Sequence, residues 1–411
     1  MINKMKNDYS WAPHIPLIGG LPLGAEAALG KAPKFVSSLD GFWANDSLYM
    51  NHQNETLSRG IDYRPLDPGE RSFVEKVNIV VSTPPCAGLS QLNTGKANTA
   101  AKGADAEKNQ FMYIAAEQAM KCYDADVIVG ENAPALYTNK GKPVADKLLQ
   151  IARDNGYSFS LYKTTTSLHG IPQNRDRTFY TFWKGDKAPI QSWFNESRKN
   201  FPDYLKEVTN EMSHQSDIIN DKIGTGESYY NFIQYKNPGE NPRDIIIANN
   251  CSTAFNYVRR GGFLQEAIDY FEAIDDTKGL HLATHAKMKF SKGLGIWDGS
   301  THVFNECMNA CISRNMNDTI HPVHDRSMTI REALHMMGFP HNFSLPGGKR
   351  SVPFIAQNVP VCTAASMVGE AVKFLNGELE LSDSDFVKQN NHHQRIDAGN
   401  IATNTLEQFI A

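Results

Sequence analysis

One thiol, one carboxyl group and two guanidinium groups stand out at positions where chemistry is possible. The thiol is Cys86, in the stretch VNIVVSTPPCAGLSQ (77–91). Val77, Ile79, Val80 and Val81 read as a short strand buried on both faces. Pro84-Pro85 cannot continue a ladder, so the chain leaves the sheet there. Cys86 is thereby presented at the strand's carboxyl end, the edge where open α/β sheets place ligands. A thiolate there is a nucleophile; a plain buried cysteine is the competing reading. Glu131, in ADVIVGENAPAL (125–136), ends a second apolar strand, and parallel neighbouring strands bring the two together. In IPQNRDR (171–177) Gln173, Arg175 and Arg177 alternate, so an extended segment sets all three on one face.

The elements around these residues alternate through the first half of the chain. A Gly-rich turn leads into a helix at 16–30, and KFVSSLD (34–40) reads as a strand ending in an acid. Strand 77–81, helix 108–123, strand 125–136, helix 142–157 and a further strand, SFSLYKTTT, follow. Such alternation predicts a doubly wound, mostly parallel sheet. From about 186 to 312 the text is rich in Asn, Tyr and Gly, with one clear helix, FLQEAIDYFEAI (263–274). It reads as an inserted smaller domain. SMTIREALHMMGFP (327–340) reads as a helix with Thr329 as N-cap and Glu332 three residues on. A closing helix at 363–377 precedes a polar tail, 382–411.

The chain has 411 residues, 41% of them hydrophobic, with a net charge of −4. This composition fits a globular protein and does not announce a nucleic-acid binder, although a local basic groove still binds phosphate. Six irregularly spaced cysteines point to a reducing cytoplasm rather than a disulfide framework. No apolar run approaches the length of a membrane span, and the start lacks a signal-peptide core.

Taken in order, the Pro-Cys loop, the Glu-Asn turn, the Gln-x-Arg-x-Arg segment and the Arg-Glu…Gly-Phe-Pro helix resemble the DNA cytosine methyltransferases that modify carbon 5 of the ring. The resemblance implies a Rossmann-like class I methyltransferase fold, carrying the catalytic domain on 1–185 and 313–381 and a target-recognition region on 186–312. It implies Cys86 as nucleophile toward carbon 6 and Glu131 as proton donor to ring nitrogen 3. Asn132 orients the base or the loop, Arg177 holds the exocyclic oxygen, and Arg175 and Gln173 support the loop and backbone. The target base must be flipped out of the duplex, and the small-residue stretch 87–109 suits a loop closing over it.

The cofactor half departs from the family. Its Phe-x-Gly-x-Gly-Gly turn for S-adenosylmethionine appears as IPLIGG (15–20), with Ile15 for the aromatic and Leu17 for the first glycine, while Gly19 and Gly20 remain. Leu17 is expected at ordinary negative φ, in a shifted turn. Asp40 is the expected ribose ligand, Asp62 the adenine ligand, and Pro85 and Asn358 further cofactor contacts. Double-stranded DNA is the implied partner of a monomeric, cytoplasmic enzyme of bacterial or phage restriction–modification. Arg259, Arg260, Lys287 and Lys289 are the expected phosphate contacts, although 187–310 carries 13 basic against 16 acidic residues. Neither the His281/His285 pair nor the Cys307/Cys311 pair has a convincing partner for a metal, so none is expected. Rival readings are a DNA-binding relative without cofactor, an enzyme acting on RNA or using a related donor, and a hydrolase pairing Cys86 with His169.

Overall fold

Strand ends decide where chemistry can sit, and the computed structural model describes them within residues 8–40, 43–85, 89, 103, 106–295, 301–311 and 315–398. The strands are Trp11–His14 (β1), Val36–Leu39 (β2), Tyr63–Leu66 (β3), Ile79–Ser82 (β4), Val127–Asn132 (β5), Tyr157–Thr165 (β6), Gln173–Asn174 (β7), Asp176–Lys184 (β8), Met308–Asn309 (β9), Phe386–Asn390 (β10) and Arg395–Ala398 (β11). The chain forms two compact units, Met1–Gly170 with Asp176–Ser197 and Asn358–Ala411, and Ile171–Arg175 with Arg198–Gln357.

In the first unit nine strands make one sheet, in the order β11-β10-β6-β8-β5-β4-β1-β2-β3. β3, β2, β1, β4 and β5 are mutually parallel. β8 runs antiparallel between β5 and β6. Strand order reverses between β1 and β4, so the loops leaving their carboxyl ends flank the topological switch point. Alternation explains the continuous apolar runs. Ile79, Val81, Val127 and Val129 join one core with Trp11, Trp183 and Met367, whereas Val80 and Ile128 join another with Met112, Leu148 and Phe182. Both faces are covered, so neither set can be polar.

Three expectations change here. Residues 171–177 are not one extended segment, because β7 ends at Asn174 and β8 begins at Asp176. The tail is not all tail: β10 pairs parallel with β6, Val387 is fully buried and Phe386 stacks on Phe159 at 5.8 Å. Alternating Phe386, Lys388 and Asn390 had masked a strand behind its polar residues. One helical stretch, Val352–Leu375, does reach the length and hydropathy of a membrane span. It is broken into Val352–Ala356 and Val361–Leu375, and the longer piece buries Ala364, Met367, Val368 and Ala371 against the sheet.

The second unit is helical, not irregular. Glu227–Lys236, Pro242–Ala248, Ala254–Arg260, Leu264–Ala273 and Thr277–Ser291 enclose Tyr229, Phe232, Ile233, Phe255 and Phe271. The asparagines that suggested loops start helices: Asn200 accepts from the Asp203 N–H and Asn241 from the Arg243 N–H. Residues 313–357 belong to this unit by compactness, and Thr329 and Glu332 form the expected capping box.

Because Phe386 fills the sheet's outer flank, Phe386→Ala should cost about 3–5 kcal/mol, the range for deleting a buried phenyl ring. Urea unfolding checks this; an unchanged midpoint would return residues 386–398 to the status of a tail.

Candidate active site

The turn after β1 is tied to both neighbouring strands. The Ile15 N–H donates to the Ser37 carbonyl (3.0 Å), and the Ile15 carbonyl accepts from the Thr83 N–H (3.2 Å). Ile15 (φ 59°), Leu17 (φ 54°) and Gly19 (φ 107°) all lie at positive φ. Leu17 therefore does not take ordinary negative φ: the turn keeps a left-handed shape with a side chain in place. Ile15 is also corrected as a cofactor contact. Its side chain is fully buried in a cluster with Leu39 and Ala115.

The helix Trp43–Asn51 braces this turn. A Cβ on Gly19 would lie 2.4 Å from a ring carbon of Tyr49. Burial raises the Asp46 carboxyl to about 6, against the opposing bonds from Ser38, Tyr63 and the Leu17 N–H. The Tyr63 hydroxyl is 3.2 Å from that carboxylate. Asn358 reaches the turn: its Oδ1 accepts from the Gly20 N–H at 3.0 Å. Sequence reasoning missed His14, buried at the end of β1 between Ser37 Oγ and Gln118 Oε1, each 2.9 Å away. Burial lowers it to about 4, so the ring is neutral.

Asp40 follows β2 at the carboxyl edge, exposed, with its N–H donating to the Leu66 carbonyl. Asp62 does not reach that edge. It precedes β3 at the amino end and pairs with Arg64 at 3.1 Å. The acid at β3's carboxyl end is Asp67, whose Oδ1 accepts from the Gly69 N–H at 2.7 Å. Its signal in the sequence was an acid directly after the last apolar strand residue, in YRPLD. At the end of β4, Ser82 Oγ and Thr83 Oγ1 are buried with no hydrogen-bond partner among the described residues, and Pro85 is half-buried. An exposed acid at β2, a bound Gly turn and two orphaned hydroxyls at the switch point fit a polar ligand the size of a nucleoside. Cys86 lies outside the described residues, as does most of 87–109.

β4 and β5 are parallel neighbours, with Ser82 opposite Gly130, so Glu131 stands at the edge where the chain enters Pro84-Pro85. Antiparallel β8 delivers its first residues to the same edge. There Arg177 Nε meets Glu131 Oε1 at 2.7 Å, with side chains 15% and 3% exposed. Asn132 is spent locally: its amide donates to Met112 Sδ (3.0 Å) and its Oδ1 accepts from the Ala133 N–H (2.9 Å).

Gln173 and Arg175 belong to the second unit and find separate partners there, which corrects the expectation of three side chains on one face. Gln173 donates to the Met336 carbonyl (2.5 Å) and accepts from the Cys311 N–H (2.8 Å). Arg175, fully buried, donates to the carbonyls of Cys311 and Ala356, both at 2.7 Å. The hydrolase reading fails at His169. Its nitrogens face Thr164 (2.7 Å) and Ser366 (2.9 Å), and burial lowers it to about 3.

Arg259 and Arg260 end the helix Ala254–Arg260, exposed, with Arg260 also donating to the Asn250 carbonyl at 2.8 Å. Lys287 is exposed, with its amine donating to Gln265 Oε1; Lys289 is half-buried.

Residues 17–373 match the C-5 cytosine-specific DNA methylase family. The chain is 25% identical over 359 residues to the Type II methyltransferase M.NgoPII of Neisseria gonorrhoeae, covering 86% of this chain and 89% of that one. It is 22% identical over 326 residues to the Type II methyltransferase M.DdeI of Desulfomicrobium norvegicum, covering 75% and 74%. A solved structure described as a DNA modification methyltransferase encoded within an E. coli prophage shares the fold, at TM-score 0.54 and 16% identity over 90% of this chain and 99% of that one. With nearly its whole length inside the family's match and the family's sheet beneath its motifs, the chain belongs to the C-5 cytosine-specific DNA methylases and is a DNA cytosine-5 methyltransferase.

Proposed function

We propose that this enzyme methylates carbon 5 of a cytosine flipped out of duplex DNA, with Cys86 as covalent nucleophile and S-adenosylmethionine as donor. The observation that carries the reading is the shared edge of β4 and β5, where the Pro-Pro-Cys segment begins beside the Glu131–Arg177 pair.

Carbon 5 of cytosine is a poor nucleophile. Addition of the Cys86 thiolate to carbon 6 forms a carbon–sulfur bond and pushes electrons toward carbon 5 and ring nitrogen 3. Glu131 holds a proton toward nitrogen 3, and Arg177 holds both Glu131 and the exocyclic oxygen. Once carbon 5 carries the donor's methyl group and S-adenosylhomocysteine has left, loss of the carbon 5 proton to a base breaks the carbon–sulfur bond, and nitrogen 3 returns its proton to Glu131, restoring the ring and the thiolate. When bound, S-adenosylmethionine supplies an electrophilic methyl group. Asp40 would hold its ribose hydroxyls, and Asp67 rather than Asp62 its adenine edge. The Gly19-Gly20 turn, Pro85 and the Ser82 and Thr83 hydroxyls would line the remainder, with Asn358 fixing the turn from behind. Arg259 and Arg260 would contact phosphates, and the protein would act in the bacterial or phage-infected cytoplasm as part of restriction–modification.

Cys86→Ser should abolish methyl transfer while sparing DNA binding, and duplex carrying 5-fluorocytosine should trap the parent protein as a covalent adduct. An undiminished adduct with the serine variant would remove Cys86 from the role. Calorimetry with S-adenosylhomocysteine should show binding that Asp40→Ala weakens about tenfold or more, the loss of a charge-assisted pair of hydrogen bonds. Equal affinity in both proteins would move the ribose elsewhere.

The brace on the turn predicts a pH effect. Asp46 has a raised carboxyl in the folded protein, about 6 against 3.8. Its contribution to stability is therefore present below pH 3.8 and lost as pH rises through about 6. Asp46→Asn keeps an acceptor for the Leu17 N–H without the buried charge. Unfolding in urea should show the variant gaining on the parent as pH rises from 5 to 8; parallel pH profiles would sink this account.

A further inference from the structure

Helix Thr277–Ser291 differs from the rest of its unit in charge. From Thr277 to Trp297 the chain holds Lys278, Lys287, Lys289, Lys292, His281 and His285 and no Asp or Glu, within a protein of net charge −4. Three other lysines of the unit are neutralised: Lys199 pairs with Glu207, Lys206 with Asp203 and Lys236 with Glu266.

The helix buries Gly279, Ala283 and Ala286. At about 100° per residue, Lys278, His281, His285, Lys289 and Lys292 fall within roughly 80° of one another on the opposite side. They form one stripe along about 20 Å of helix. The His281 and His285 rings lie parallel, 6.1 Å apart. Lys289 and Lys292 make no ion pair among the described residues. Lys278, at the far end, lies near Asp318, whose carboxyl burial raises and Lys278 only partly opposes. Met288 and Leu294, 45% and 53% exposed, adjoin the stripe. A merely solvated helix face carries both signs of charge; this one carries a single sign, which attracts a polyanion.

We propose that this stripe is a contact surface for the phosphate backbone of duplex DNA, with Lys289 and Lys292 as its charged core and His281 and His285 as hydrogen-bond donors between them. The proposal rests on the DNA-methylating reading above. It also replaces Lys287, which lies on the helix flank with its amine held by Gln265.

The test is fluorescence anisotropy of the full-length protein on a labelled duplex, titrated with salt. The variant H281Q/H285Q/K289Q/K292Q should lose about two units from the slope of log affinity against log salt, since each phosphate contact contributes about 0.9. Its affinity near 0.1 M salt should fall at least tenfold, while K287Q keeps the parent's slope. All positions are on the outer helix face, so a melting temperature equal to the parent's accompanies the result. If the parent binds duplex and the quadruple variant keeps its slope, the stripe is overturned and the family reading stands. The same holds if K287Q loses slope as readily, which would make the effect one of net charge. A parent protein that binds no duplex DNA would overturn the stripe together with the proposed substrate.

Discussion

The carboxyl edge of the sheet hangs on one close approach, the backbone of Gly20 against that of Asn358 and Val359. A Cβ on Gly20 would sit 2.1 Å from the Val359 carbonyl oxygen, and one on Gly24 would sit 2.3 Å from Ala364 Cβ. No side chain fits at either position without backbone movement. With both glycines in place, helix Gly20–Leu29 lies directly on helix Val361–Leu375, and the Asn358 amide oxygen caps the Gly20 N–H. The closing helix then covers β1, β4 and β5 through Val359, Ala364, Met367 and Val368. Residues far apart in sequence thus fix the turn beside the switch point. The left-handed conformation at Leu17 is imposed by this frame, since a leucine does not choose it. Strain of this kind costs on the order of 1–3 kcal/mol and persists only where surroundings over-determine it.

What the sequence made legible was chemistry and order. Glu131, Thr329 and Glu332 were readable because each stands at a strand end or helix start that has a local signature. The parallel neighbouring of β4 and β5 followed from two apolar runs ending in polar turns. Position relative to a strand's two ends was harder. Asp62 and Asp67 bracket the same four residues, and only the direction of β3 tells which acid faces the site. Periodicity failed where each turn of backbone had its own cap. Asn200, Asn241 and Thr253 begin helices of five to seven residues, too short to show a 3.6-residue pattern. The Gln-x-Arg-x-Arg alternation was real but misleading, because the strand breaks in its middle.

Two fully buried arginines explain how the second unit holds its irregular segments. Arg175 gathers the carbonyls of Cys311 and Ala356. Arg331 gathers those of Pro340, His341 and Phe339 at 2.9–3.2 Å, and burial lowers its guanidinium to about 10. Arg331, held by these carbonyls and the Ser213 hydroxyl, forgoes the Coulomb energy of a carboxylate partner among the described residues. What it gains is geometry, since one planar fork ties two or three strands of chain that share no ladder. An unpaired carbonyl in the same place would itself cost about 1–3 kcal/mol. These motif arginines are scaffold within their unit, which a charged, alternating sequence does not suggest.

Arg177 is the exception among them, and its hydrogen-bond inventory shows why. A guanidinium has five N–H donors and no acceptor. Nε forms an ion pair with Glu131 Oε1 at 2.7 Å and Nη1 donates to the Asp176 carbonyl, and no partner for Nη2 is found among the described residues. Any base entering this edge meets the Glu131–Arg177 pair. It can still accept from the free end of the fork. On the proposed reading the exocyclic oxygen takes Nη2 while Nε stays with Glu131, so one arginine orients base and carboxyl together. A lysine offers a single point of charge and could hold only one of the two.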